Sequence, residues 1–216
     1  MIPIIHSDED LLAVEKPEGL ASIPERGGNL DCLLFRLQDE LSQKLYVVHR
    51  LDKEVSGIIL FARHAAAHRW LSMAFEQRQI EKRYLALIHG KMPEMAGEMN
   101  QPLRQFGSGR MGVDVRNGKP SLTSYRVRKN YSAFSLVDAY PRSGRRHQIR
   151  VHFYACGHAI VGDLRYGDAP QQSKYSRLMM HAEQITFTAL SGRVLCLTCP
   201  PTASFTSLLQ QLCGDE

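Results

Sequence analysis

The sequence predicts an α+β fold: a mixed, mostly antiparallel central sheet with flanking helices and loops. Short apolar runs of strand length recur throughout, for instance at residues 11–14, 58–61 and 194–198. Helical spacing is confined to a few segments between them. Strands and helices do not alternate in the regular βαβ manner that an all-parallel sheet requires.

The elements follow in order. Residues 2–5 and 11–14 are apolar enough for two strands, and the turn-prone Lys16-Pro17-Glu18-Gly19 comes next. Leu30, Leu33, Leu34, Leu37 and Leu41 share one face at helical spacing, so 29–42 is expected to be an amphipathic helix with Asn29 near its N-cap. Residues 46–48 and 58–61 are short apolar strands enclosing a charged insert, and 65–76 reads as a second helix. At 83–89 Tyr84, Ala86 and Ile88 alternate with Leu85 and Leu87, the period of a strand. Residues 104–120, rich in Gly and Arg without periodicity, are expected to be a long loop or irregular hairpin. Antiparallel strands are expected at 122–127 and 133–139, then a helix from Arg145 or Arg146 to Ala155, ended by Gly157. A further strand pair, 179–188 and 194–198, and a helix at 205–212 complete the chain.

The 216 residues are enough for a full hydrophobic core, and 1–216 is read as a single domain. Apolar content of 44% with 23% charged residues is ordinary for a folded soluble protein. No apolar run approaches the roughly 18 residues of a membrane span. The N-terminus lacks a basic segment followed by a long apolar one, so no secretory signal is visible. Five scattered cysteines then read as free thiols in a reducing cytoplasm, where the protein is expected to reside. Charge is uneven along the chain. Residues 104–150 hold eleven Lys/Arg against two acids, a net +9, so the total of +5 leaves −4 for the remainder. Such a segment suits a polyanion, nucleic acid first among them, although a solvated basic face would look the same.

Two stretches stand apart. VVHRLDKEVSGIILFA (47–62) places His49-Arg50-Leu51-Asp52-Lys53-Glu54 where a hairpin tip ordinarily carries Asn-Gly or Asp-Gly. PRSGRRHQIRVHF (141–153) sets Arg146, Ile149 and Arg150 on one helical face and His147, Val151 and Tyr154 on another. The first reads as a charged turn or a site; the second as a surface helix or as a fork aimed at a carboxylate or phosphate through Arg150. Other chemistries find little support. There is no Gly-Lys-Ser/Thr phosphate loop and no H-E-x-x-H. His64 and His68 lack a third ligand, Cys196-x-x-Cys199 lacks a second pair, and His147 and His152 point about 140° apart on a helix.

HRLDKEVSG (49–57) resembles the H-R-L-D-x-x-T-S-G signature of RluA-type pseudouridine synthases, and SGRRHQIRVH (143–152) resembles their T-G-R-T-H-Q-I-R-V-H. EKPEGL (15–20), EKRYLALIHG (81–90), HAIVGDLRYG (158–167) and LMMHAEQITF (178–187) stand in matching order around them, so the resemblance covers nearly the whole chain. Val55 and Arg146 stand where the signatures have Thr, and Glu15 where one has Asn; none is a position assigned to chemistry. These departures suggest a divergent subgroup.

The resemblance implies a pseudouridine synthase catalytic fold without a separate N-terminal RNA-binding domain. The implied partner is transfer or large-subunit ribosomal RNA, bound by a monomer that uses no metal, no small-molecule cofactor and no membrane. The implied reaction breaks the uridine N1–C1′ bond, rotates the uracil and rejoins it through C5. Asp52 would be the essential carboxylate, Arg150 its charge partner, and Tyr84 a ring for stacking on uracil whose hydroxyl helps the C5 proton leave. Leu51 would supply a dry wall. His49, Arg50 and His147, with Arg104, Arg110 and Arg116 of the basic loop, are candidates for contacting the RNA. Two other readings remain: an RNA-binding or RNA-remodelling protein on the same fold without chemistry, and a hydrolase using Asp52 and Glu54 as a carboxylate pair, two residues apart on one strand face.

Overall fold

The computed structural model describes residues 1–25 and 30–214. In chain order the elements are β1 (Ile4–Ser7), β2 (Leu11–Lys16), α1 (Leu33–Leu41), β3 (Tyr46–Val47), β4 (Ser56–Ala62), α2 (Ala65–Glu76), β5 (Glu81–His89) and β6 (Ala96–Met99). There follow β7 (Leu103–Gln105), β8 (Met111–Val113), β9 (Thr123–Asn130), β10 (Phe134–Pro141), α3 (Gln148–Ala155), α4 (Ala169–Gln172), β11 (Met180–Thr188), β12 (Val194–Thr198) and α5 (Ala203–Cys213). The fold is α+β, and the pairs β1–β2, β2–β4, β3–β4, β5–β10, β9–β10, β6–β9, β7–β8 and β11–β12 are all antiparallel, as expected from the sequence. Among the described residues no helix is long and apolar enough to cross a membrane. The described chain clusters into two compact units, Met1–Lys82 with Ala182–Thr202, and Arg83–His181 with α5.

In the first unit β4 is the central strand. All seven of its residues are buried, which is why SGIILFA reads as a continuous apolar run rather than an alternating one. β2 lies along it in register from Leu11↔Ala62 to Lys16↔Gly57, and β3 pairs Val47 with Phe61. Gly57 has φ +115, and a Cβ there would stand 2.3 Å from the carbonyl oxygen of Ala182. Only glycine permits that approach of β11 to β4. α2 matches its expected bounds. His64 caps it, its Nδ1 accepting the Ala67 N–H at 3.3 Å while its Nε2 meets Asp10 at 2.9 Å. His68 bonds the Val47 carbonyl instead, so the two histidines serve different structural contacts.

α1 begins four residues later than the leucine spacing predicts. The Asn29 cap falls outside the described residues, and Leu30 is 65% exposed. The start is set by a tertiary contact: the Leu33 and Leu34 amides donate to the carbonyls of Ala21 and Ser22 at 2.8 and 3.2 Å. Those carbonyls satisfy donors that a side-chain cap would otherwise take.

In the second unit β10 lies between β5 and β9, with Ala139 opposite Tyr84 and Tyr125. The expected irregular stretch at 104–120 contains the β7–β8 hairpin. α3 starts at Gln148 rather than at Arg145 or Arg146, because His147 adopts a left-handed backbone (φ 53) and the Gln148 side chain accepts the Arg145 N–H. It is no surface helix: all six residues Gln148–Phe153 are buried.

Candidate active site

The loop from Val48 to Val55 hangs between β3 and β4 and is fastened from below. Lys16, with no solvent exposure, ends β2 and points its ammonium at three carbonyls, those of Pro17 and Leu20 at 2.8 Å and of Lys53 at 3.0 Å. The Lys53 carbonyl also accepts the Gly19 N–H at 2.9 Å. A buried cation without acceptors would be prohibitive, so this triple contact fixes the Lys-Pro-Glu-Gly turn against the charged loop. Ser22 makes a second fastening, its hydroxyl donating to the Leu51 carbonyl (2.8 Å) and accepting the Leu51 amide (3.1 Å). Leu51 is buried beside it. Asp52 therefore sits half-buried between two anchored residues, and the Val55 N–H closes a turn on its carbonyl at 3.1 Å.

That turn corrects the geometry on which the hydrolase reading rests. Asp52, Lys53 and Glu54 lie in a loop, not on a strand, so the same-face relation of residues two apart does not apply. Glu54 is exposed while Asp52 is half-buried.

His49 turns inward at the base of the loop. Its Nε2 accepts the Leu60 N–H at 2.9 Å and its ring stacks on Phe75 at 4.7 Å between centroids. Burial, with Lys82 nearby, pushes its pKa down to about 3, so the ring is neutral at physiological pH. Arg50, its neighbour, is exposed.

In the second unit Arg150 is 3% exposed, and its Nε and Nη2 hold the two oxygens of Asp163 at 2.8 Å each. This bidentate pair orients the guanidinium, and losing one partner of such a pair typically costs about 3–5 kcal/mol. Asp163 Oδ1 also accepts the amides of Arg165 and Tyr166 at 3.0 and 3.1 Å. Two guanidiniums, those of Arg150 and Arg110, each stand 5.3 Å from the Tyr166 ring centre. Its hydroxyl takes the Met111 N–H at 3.2 Å and meets His147 Nδ1 at 2.6 Å. His147 is thus bonded to Tyr166, and Tyr84 is half-buried at the β5 end opposite Ala139.

Arg104, Arg110 and Arg116 are exposed on and beside the β7–β8 hairpin. The hairpin is docked by Leu103 and Met111, which pack with Val151 and Tyr166. Arg104 pairs with Asp114 at 3.1 Å, so its charge is partly matched within the hairpin. Among the described residues no group of three or more His, Cys, Asp or Glu side chains converges as a metal site.

Sequence reasoning assigned no role to Lys16, Ser22, Asp163 or Tyr166. Lys16 carried a signal, a lysine closing the apolar run LLAVE before Pro-x-Gly, and Asp163 and Tyr166 stand inside the quoted HAIVGDLRYG. Ser22 gave none, because its partner Leu51 is distant in sequence.

Comparison with known proteins bears on this arrangement. A family model described as RNA pseudouridylate synthase matches residues 10–155. The dual-specificity RNA pseudouridine synthase RluA of Pasteurella multocida is 35% identical over 208 residues, which is 93% of each chain. Ribosomal large subunit pseudouridine synthase C of Buchnera aphidicola is 32% identical over 194 residues, 85% of this chain; the match spans only 62% of that longer relative. The solved structure of human RNA Pseudouridylate Synthase Domain Containing 1 superposes with a TM-score of 0.84 at 27% identity, covering 96% of this chain and 87% of the other.

Proposed function

Because the chain belongs to the RNA pseudouridylate synthase family, we propose that it isomerises a specific uridine to pseudouridine in transfer or ribosomal RNA, with Asp52 as the essential carboxylate. The observation that carries this is the fastening of the Asp52 loop by Lys16 and Ser22. A reacting group must be held in place, and the buried ammonium and hydroxyl hold this loop. The uridine is extruded from its stack at a cost of roughly a few kcal/mol. With the N1–C1′ bond broken, the detached uracil turns until C5 faces C1′, the new bond forms, and the C5 proton leaves as N1 gains one. Asp52 acts on the sugar or base. Tyr84 stacks on the uracil and assists departure of the C5 proton. Arg150, its guanidinium oriented by Asp163, is proposed as a further catalytic residue. His49 serves the loop from within, and Arg50, Leu51, His147, Arg104, Arg110 and Arg116 are proposed substrate-binding residues. The protein is proposed to work as a monomer in the cytoplasm without a cofactor.

Asp52→Asn provides the test, since it is nearly isosteric but removes charge and nucleophilicity. Parent and variant are incubated with total RNA from a deletion strain, and pseudouridine and free uracil are measured by mass spectrometry. The parent should form pseudouridine and no free uracil. The variant should fold, bind RNA within about twofold of the parent, and lose many orders of magnitude in rate, because no comparable route remains. A parent that binds RNA and makes neither product would be a binding protein instead. A folded Asp52→Asn variant that still makes pseudouridine would move the chemistry to another residue.

A further inference from the structure

We propose that the cleft between the β7–β8 hairpin and α3 is a second base site, receiving an unpaired nucleobase of the bound RNA other than the uridine to be modified. The inference rests on the RNA-modifying function proposed above and adds a subsite to it. The cleft encloses about 370 Å³ and lies between Phe106, Arg110, Met111 and Gly112 of the hairpin and Val151 and Tyr154 of α3. That volume falls within the range of small-ligand pockets, roughly 300–1,000 Å³.

Its walls suit a flat, anionic guest. Phe106 and Tyr154 are 44% and 46% exposed, two aromatic rings on different elements that both line one cleft. Its floor is dry: Met111 and Val151 belong to the buried cluster that docks the hairpin. A Cβ on Gly112 would stand 2.9 Å from Cε2 of Phe106, so glycine at this position lets the Phe106 ring lie close over the strand. Arg110 stands 5.5 Å from the Tyr154 ring and 5.3 Å from that of Tyr166, bracing the aromatic wall and holding positive charge at the rim. Among the described residues no carboxylate lines the cleft. Two exposed rings, each with an arginine against it (Arg104 5.9 Å from Phe106, Arg110 5.5 Å from Tyr154), match a base and its phosphate; single-strand binding proteins combine aromatic rings and positive charge without demanding a particular base. The cleft is also preformed. The Met111 N–H bonds the Tyr166 hydroxyl, and Arg165 Nη2 holds the Gly109 carbonyl at 2.9 Å, so the hairpin is tied down on both sides of Arg110.

The test compares two fluorescent probes of equal length and charge, an oligouridylate and a stable abasic phosphodiester oligomer, binding to the parent, Phe106→Leu and Tyr154→Leu. Both positions are exposed, and circular dichroism checks the fold. The parent should prefer the oligouridylate. Each substitution should cut that preference by about 5- to 150-fold, the span of one base stacked on one ring, while leaving affinity for the abasic probe unchanged. Unaltered oligouridylate binding, or equal losses for both probes, would overturn the proposal; the latter would assign the rings to hairpin shape or to a peptide guest. Failure of the two readings separates cleanly. Parent protein that forms pseudouridine without ring-dependent base preference retains the function and loses the cleft; one that shows the preference but forms no pseudouridine does the reverse.

Discussion

At the scale of single residues, His49 shows how a polar side chain within a signature can serve the fold. In sequence it stands three positions before Asp52 and reads as an RNA contact. Its burial depends on Phe75, a helix away, and its hydrogen bond on the Leu60 amide, neither of which is visible locally. Arg150 was legible as a fork but not its partner Asp163, thirteen residues on. The depressed His49 pKa has a consequence for stability. Above about pH 6.5 the ring is neutral in both folded and unfolded chains, and its full contribution is present. As pH falls from 6.5 toward about 3 the unfolded chain takes up a proton that the folded protein refuses. Stability then declines by up to about 1.4 kcal/mol per pH unit. His49→Gln keeps an acceptor for the Leu60 amide and does not titrate. Urea unfolding between about pH 6 and 4 should show a pH slope shallower by about one proton in this variant. Parallel slopes for parent and variant would acquit His49 of the acid sensitivity.

Elements were legible where burial is a matter of local pattern. β4 announces itself by an unbroken apolar run, and α2 by alanines and a clean apolar face. β6 (AGEM) did not, because small and charged residues are weak strand formers; pairing with β9 makes it a strand. The β7–β8 hairpin was half legible: its Gly and Arg content marked an irregular, exposed segment, while Leu103 and Met111, which dock it, are too few to make a period. This hairpin should matter to RNA affinity more than to chemistry. Replacing Arg104, Arg110 and Arg116 by Gln should flatten the log–log salt dependence of RNA binding. Each phosphate contact contributes about 0.7 for single strands, and Arg104 is shared with Asp114, so a change of about 1.4 to 2.1 is expected. Single-turnover rates at saturating RNA should stay within a few-fold of the parent. An unchanged salt slope would remove the hairpin from the RNA-binding surface.

For the whole molecule, the α+β class was readable because antiparallel strands leave short apolar runs between turn residues. The described residues cluster into units whose boundaries fall within β5, within β11 and just after Pro200-Pro201, and the first two carry no Gly- or Pro-rich linker that could mark them in the sequence. The charge asymmetry was visible from the outset. Residues 104–150, with a net +9 on a chain of +5, lie wholly within the second unit. A polyanion approaching from a distance responds to that field before it makes any contact. The field reaches about 30 Å at 0.01 M salt and only about 8 Å at 0.15 M. Capture of RNA, read as kcat/KM, should therefore fall steeply as salt rises over this interval. Turnover at saturating RNA should barely move, because Arg150 and Asp163 are buried and their interaction is screened little. The Arg104, Arg110 and Arg116 variant should start lower and fall less. If kcat drops in parallel with kcat/KM, salt acts on the reacting groups themselves; if neither responds, the basic segment is a solvated face and RNA is held elsewhere.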